Sequence, residues 1–531
     1  MKNMKKIEDL KLFLDEFEAT FRPLYVGAGE RQFEALTTGD EKKYAEAVEF
    51  EVKIQNLLSR KDKFIEAEEF NRLEDLDAIQ ERQVFEIYRA YLSHQADPEL
   101  MRQISELDSE VSQDYSTFRV KKGDIELTDN DILEILENSN NSAEVEEIWN
   151  SSKEVGALVA DKVVKLAKLR NQLAISLNFK NYWEMSLVLQ DFEPMKLLQL
   201  FDDLDRLTAA IFAKIKHDLD EKIAEKFNLS ISELAPSHFG RYFQQSPKIF
   251  DLDLDATYLD QDLTFLTDKY YKSIGLSIDK ILAKSDLYEK KGKNQHAFCF
   301  GIDAPDDVRV LCNVKPNAMW MDTMLHEFGH GVYDHYLDKN MPWSLRSPAH
   351  IFTTEAIAMM FGTLSANPTW IERMLDKKLS AKEAEETALM TKYDKIIFSR
   401  FVQVMFRFEK DFYENPDQNL DDLWWKLVEK YQCLKRPIGE RKGDWASKMH
   451  IASAPVYYHN YLLGELFAAQ LRNYIKANIS ANASLSNDVK IGDYLKERVF
   501  APGQKYVWGD FVKSATDKEL TPKYFAEEFC I

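Results

Sequence analysis

Pro316-Asn317-Ala318-Met319-Trp320-Met321-Asp322-Thr323-Met324-Leu325-His326-Glu327-Phe328-Gly329-His330-Gly331-Val332 is the stretch that decides how this chain is read. Asn317, following Pro316, has the chemistry of an N-cap. Met321, Met324, Leu325, Phe328 and Val332 then recur at steps of three and four, the apolar face of a helix. Pro342 stops the pattern, so the spacing predicts a helix over about 317–338. On such a helix His326 and His330 project from one side, because four residues are little more than a turn. Two neutral imidazoles on one face take two corners of a zinc tetrahedron. Glu327 between them is placed as a general base toward a water that the metal activates. Glu355, in Thr353-Thr354-Glu355-Ala356-Ile357-Ala358, is the candidate third ligand. An open fourth position separates a catalytic zinc site from a structural one.

The composition narrows the rest. The chain has 531 residues, 45% hydrophobic and 30% charged, with ample material for a core. A net charge of −21 argues against nucleic acid and anionic membrane as partners and favours neutral or basic substrates. No run of 18 apolar residues is present, so no membrane span is expected. Cys299, Cys312, Cys433 and Cys530 are too few and too scattered for a disulfide framework. Basic Met1 to Lys6 is followed by charged Ile7-Glu8-Asp9-Leu10-Lys11, unlike a signal peptide, and a cytoplasmic location is expected. No protein partner is inferable.

Glycine and proline are scarce and helical periodicity is widespread. Ile7, Leu10, Leu14, Phe17 and Phe21 form an amphipathic stripe that Pro23 is expected to end. Val163, Leu166, Leu169, Leu173 and Leu177 form another, and the run from Ala381 to Phe408 a third. Loops are expected near Gly123, Asn138 to Asn141 and Gly292. The fold class is therefore mainly α, in one extended domain. The exception is a predicted β-hairpin directly before the motif helix. It consists of His296 to Phe300 and Val308 to Cys312, joined by turn-rich Asp303 to Asp307. Its edge either pairs with a peptide substrate or only packs on the helix.

Glu355 in its Glu-Ala-Ile context after the His pair resembles the zincin pattern with a glutamate ligand. Further stretches resemble the angiotensin-converting-enzyme-like peptidases (family M2, gluzincins). They are Ile148-Trp149 through Leu177-Asn178-Phe179-Lys180-Asn181-Tyr182-Trp183, Pro342 to Arg346 leading into Glu355, and Trp424-Trp425 through Gln432 to Lys448-Met449-His450-Ile451. The M3 oligopeptidases related to thimet oligopeptidase are the next nearest. The resemblance covers about residues 145–475 and, more loosely, the N-terminal helices. It implies a large helical ellipsoid split by a deep substrate cleft, with a small β-hairpin beside the zinc helix. It also implies lid and supporting helices over about 1–120 and a catalytic body over 121–531.

Carried over residue by residue, the resemblance makes His326, His330 and Glu355 the zinc ligands and Glu327 the base. It makes His296-Ala297 a substrate-binding pair, and Lys448 the anchor of a substrate C-terminal carboxylate. His450 would bind near the scissile carbonyl, Tyr461 would stabilise the oxyanion, and Tyr458 and Gln244 would help hold the carboxylate. One extra residue stands between His450 and the tyrosine pair. Where the family often has an acidic residue four after the glutamate ligand, this chain has Met359, so another group must orient His326 or the site is tuned differently. Asn460 replaces a chloride-binding arginine, which argues against chloride activation. Gln295 stands where a disulfide cysteine would precede the His-Ala pair. The implied activity is a peptidyl-dipeptidase, using one zinc per chain on short peptides. The alternatives are a thimet-type oligoendopeptidase and a peptide-binding pseudoenzyme.

Overall fold

Leu10, Phe13, Leu14 and Phe17 sink into one cluster with Leu58, Phe70, Val84, Ile87 and Tyr91, as the periodicity of the first helix requires. The computed structural model describes residues 2–123, 125–243, 252–439, 441–482 and 484–530. It is about 70% helical, and the described residues hold two sheets, each of two antiparallel strands. The mainly α expectation is met.

The chain divides into two compact units. One comprises residues 1–95, 253–387 and 463–521, the other 96–252, 388–462 and 522–531. The helices Ala381–Glu414 and His459–Asn478 contribute residues to both.

In the first unit the opening helix is Lys2–Thr38, and Pro23 lies inside it. The expectation that Pro23 ends the helix is wrong, and magnitudes explain why. An interior proline removes one backbone hydrogen bond and costs about 3 kcal/mol. The same helix buries four large apolar side chains before the proline and Phe33 and Leu36 after it, each contributing about 1.5–3 kcal/mol. The second half of the helix has its own anchor, because Phe33 and Leu36 pack on Ile302 and Leu311 of the hairpin. Arg22 adds an ion pair to Asp303 at 2.7 Å.

The hairpin pairs Phe298–Asp303 with Asp307–Leu311, in the register Phe298 to Leu311 and Phe300 to Arg309. Its turn lies where expected. The strand starts at Phe298, so His296 and Ala297 precede it rather than belong to it. Lys293, whose side chain has no exposed surface, fixes the approach to this strand. Its ammonium donates to the Asp286 carboxylate at 2.8 Å, to the Asp286 and Tyr288 carbonyls at 2.9 Å each, and to the Cys312 carbonyl. The hairpin packs on the motif helix, where Cys299 Sγ comes close to Gly331.

The motif helix runs Ala318–His335, and the Asn317 side chain accepts from Trp320 N at 2.9 Å. Met321, Met324, Leu325, Phe328 and Val332 are fully buried.

In the second unit the helix Ser142–Ser176 is capped by Asn141 and buries Val163, Leu166, Leu169 and Leu173. A short hairpin, Val120–Lys122 with Ile125–Leu127, turns at Gly123. Three-residue strands leave too little alternation to be seen in a sequence. Trp424 and Trp425 are core residues.

Candidate metal centre

Two helices of the first unit build the centre. The motif helix brings His326 and His330 together, with their Nε2 atoms 3.3 Å apart. The helix Ile351–Gly362 supplies Glu355, whose Oε2 lies 3.8 Å from His326 Nε2 and 4.0 Å from His330 Nε2. The three donor atoms all fall within 4.8 Å of one another. A tetrahedral zinc with ligand bonds of about 2.0–2.1 Å has ligand-to-ligand edges of about 3.3–3.4 Å. The imidazole pair matches that edge, and the carboxylate oxygen stands about half an ångström wide of it. Among the described residues no fourth His, Cys, Asp or Glu joins the set. These donors therefore fit a catalytic zinc ion better than a structural one.

The helices must approach closely to bring Glu355 to the His pair, and a glycine permits it. A Cβ on Gly329 would stand 2.8 Å from Ala358 Cα on the facing helix. That neighbour is backbone and cannot swing away. Gly329→Ala is expected to destabilise the fold by about 1–3 kcal/mol and to weaken zinc retention. Denaturant unfolding and metal analysis check this, and unchanged values in both would contradict the close approach. On the other side of Glu355, a Cβ on Gly464 would stand 3.2 Å from Glu355 Cβ and 3.3 Å from Met359 Sδ. Met359 thus fills the space beside the glutamate with an apolar contact.

Hydrogen bonding and charge complete the centre. His330 Nδ1 lies 2.7 Å from Thr354 Oγ1, a contact that orients the ring and leaves Nε2 facing the other donors. Nothing in the sequence separates Thr354 from Thr353 beside it. Burial, and then His326, hold His330 well below the usual histidine range, which keeps the imidazole in the neutral form that binds metal. Burial and the neighbouring Glu355 push Glu327 up to about 8. Burial and Glu465 push Glu355 up to about 7. A divalent cation among these groups opposes both effects. Glu465 is a second residue that the sequence did not announce.

The other predicted residues are placed as follows. His296 is exposed, and its backbone N donates to Asn294 Oδ1 at 2.8 Å. Ala297 follows it at the entry to the strand. Gln244 lies outside the described residues. Lys448, His450, Tyr458 and Tyr461 come together within the second unit. Lys448 Nζ stands over the rings of Tyr458, Phe243 and Phe401 at 5.0, 5.4 and 5.5 Å. Among the described residues it forms no ion pair, and burial lowers it to about 8. The His450 ring is 5.1 Å from Tyr458, and Tyr458 is 5.3 Å from Tyr461. Burial, and then Lys448, hold His450 down to about 4, so it is neutral near pH 7. Its Nδ1 is buried without a hydrogen-bond partner among the described residues. Tyr457, which carries no motif in the sequence, packs edge-on against Tyr461 at 5.4 Å.

His350 caps its helix, His335 meets the Pro305 carbonyl, and His459 lies between Phe192 and Phe406.

A mainly helical chain with His-Glu-x-x-His on one helix and a glutamate donor on the next has the construction of a gluzincin. Comparison with known proteins agrees. Residues 283–531, which include the motif helix, match the model of Peptidase family M3. Residues 4–241 match the model of the M2 family, angiotensin-converting enzyme. Rat angiotensin-converting enzyme is 22% identical over 397 residues, 68% of this chain and 30% of the relative. The mouse enzyme is 22% identical over 335 residues, 58% of this chain and 25% of the relative. The chain thus spans less than a third of the length of these curated relatives. The N-terminal part of the chain is thus similar to the M2 family and the C-terminal part, with the motif helix, to the M3 family. No helix among the described residues is long and apolar enough to cross a membrane.

Proposed function

We propose that this chain is a zinc-dependent peptidase that releases dipeptides from the free C-terminus of short peptides. The observation that carries the reading is the His326, His330 and Glu355 donor set, with Glu327 between the two histidines. Zinc, when bound there, supplies an activated water and a polarised peptide carbonyl. Glu327 takes the proton from the attacking water and delivers it to the departing amine. Tyr461 and His450 donate hydrogen bonds to the carbonyl oxygen as it gains negative charge. His296 and Ala297 engage the peptide beside the strand edge.

Lys448 supports the dipeptidase form of this reading. A buried ammonium without an acidic partner is costly, and a substrate carboxylate supplies the missing counter-charge. Tyr458 and Gln244 complete the clamp. A peptide cut two residues before that anchor leaves as a dipeptide. The M3 match over residues 283–531 favours a second reading, an oligoendopeptidase that needs no free carboxylate. Peptides with free and amidated C-termini separate the two. The dipeptidase form predicts at least tenfold weaker cleavage of the amide, and equal cleavage establishes the endopeptidase.

The Lys448 charge adds a pH signature. Its pKa lies near 8, below the usual lysine value, so the charge is present below about 8 and lost as the pH rises through it. KM for free-carboxylate peptides is expected to climb above pH 8, and KM for amidated peptides to stay level. A parallel rise in both would remove Lys448 from substrate binding. All four cysteines are unpaired, which supports a reducing compartment such as the cytoplasm.

A further inference from the structure

Val456 is fully buried and adopts a φ of 54°, the left-handed region that β-branched residues avoid. Two side chains hold it there. Glu409 Oε1 accepts from Val456 N at 2.7 Å. Gln190 Nε2 donates to the Val456 carbonyl at 3.1 Å. The same Gln190 amide accepts from Asn460 Nδ2 at 2.9 Å and so ties the turn to the start of the next helix. Glu409 is 2% exposed and Asn460 fully buried.

The position of this turn gives the clamp its meaning. It follows the short helix His450–Ser453 and directly precedes Tyr458 and the helix that starts at His459. Tyr458 packs against His450 on one side and Tyr461 on the other. The backbone angle at Val456 therefore sets the direction in which the following residues leave the turn. A strained conformation persists only where its surroundings over-determine it. Removing either hydrogen-bond partner frees Val456 to return to negative φ, which turns the two tyrosines away from His450.

We propose that Glu409 and Gln190 are positioning residues that clamp the Val456 turn and thereby aim Tyr458 and Tyr461 at the substrate. This rests on the peptidase reading above.

The test uses glycine, which adopts positive φ without strain. Glu409→Ala is expected to lower kcat about ten- to a hundredfold, the cost of a misplacement near 1 Å, while zinc stays at one per chain. Glu409→Gln keeps an acceptor for Val456 N and should recover most of the loss. Adding Val456→Gly to Glu409→Ala should also recover it, because the turn then needs no clamp. Gln190→Ala should repeat the pattern from the other side. Amide hydrogen exchange over residues 454–462 is measured on the same variants. It should rise in Glu409→Ala and fall back in the double variant.

An unchanged kcat in Glu409→Ala, or no recovery on adding Val456→Gly, overturns the clamp and leaves Glu409 a buried packing residue. If the wild-type, zinc-loaded protein cleaves no peptide, the peptidase reading fails, and the exchange pattern alone still decides whether the clamp exists. If a single variant melts too low to assay, Glu409→Gln and the double variant carry the comparison.

Discussion

Glu327→Gln is expected to bind one zinc per chain as the wild type does and to lose turnover by about two to four orders of magnitude. The two halves of this expectation have different origins. The donor set that could hold zinc is His326, His330 and Glu355, and the substitution alters none of them. Glutamine has nearly the shape of glutamate, so the packing around position 327 on the buried motif helix survives. It cannot accept a proton at neutral pH, so the water stays unactivated and the leaving amine unprotonated. The KM for a free-carboxylate peptide should change little, because the substitution leaves Lys448, the proposed carboxylate anchor, untouched. Metal analysis beside steady-state kinetics reads both halves. A variant that keeps most of its activity would show that Glu327 is not the base. A variant that loses its zinc would show that position 327 shapes the donor set itself.

The second large effect is at the metal. His330→Ala is expected to lose zinc and, with it, all measurable peptide cleavage. The ring is one of three donors, is fixed by Thr354 at 2.7 Å and is held neutral by burial. Its loss leaves two donors on different helices, and two donors do not retain zinc against dilution. A stability effect follows by mass action. A metal that binds only the folded chain stabilises it by about 2.7 kcal/mol at a hundredfold excess over Kd. Thermal unfolding with and without added zinc should therefore show a rise in Tm for the wild type and none for His330→Ala. A variant that still gains stability from zinc would mean that the ion sits elsewhere. Thr354→Val tests the hydrogen bond on its own, with an expected loss of ten- to a hundredfold in zinc affinity.

The parts of this molecule legible in the sequence share one property: their interactions are local. The motif helix, its Asn317 cap and its apolar face depend on contacts three or four residues apart. The relation of His326 to His330 is set by the helix itself, before any tertiary contact forms. The hairpin was legible because β-prone runs flank a turn-forming segment. The Pro23 expectation failed because it weighed a local cost without the burial on either side of that proline. The hairpin at 120–127 was too short to announce itself.

Donors distant in sequence were harder to read. Glu355 is a candidate ligand in the sequence, and only the close packing at Gly329 shows why it can reach the two histidines. Thr354, Glu465, Glu409 and Gln190 carry no motif, and each matters through a partner far away in the chain. Glu409 meets Val456 across 47 residues and Gln190 meets it across 266.

Taken alone, the order of residues determined the helical class, the two imidazoles on one face and the glutamate between them, because a helix imposes its own short-range geometry wherever it forms. The tertiary structure decided how near Glu355 comes to those rings, which carboxyls are forced toward the neutral form, and how a strained valine is held open. Each of these depends on burial and on contacts between segments remote in the chain. Such contacts arise from the packing of distant segments within a unit, and no window of neighbouring residues contains them.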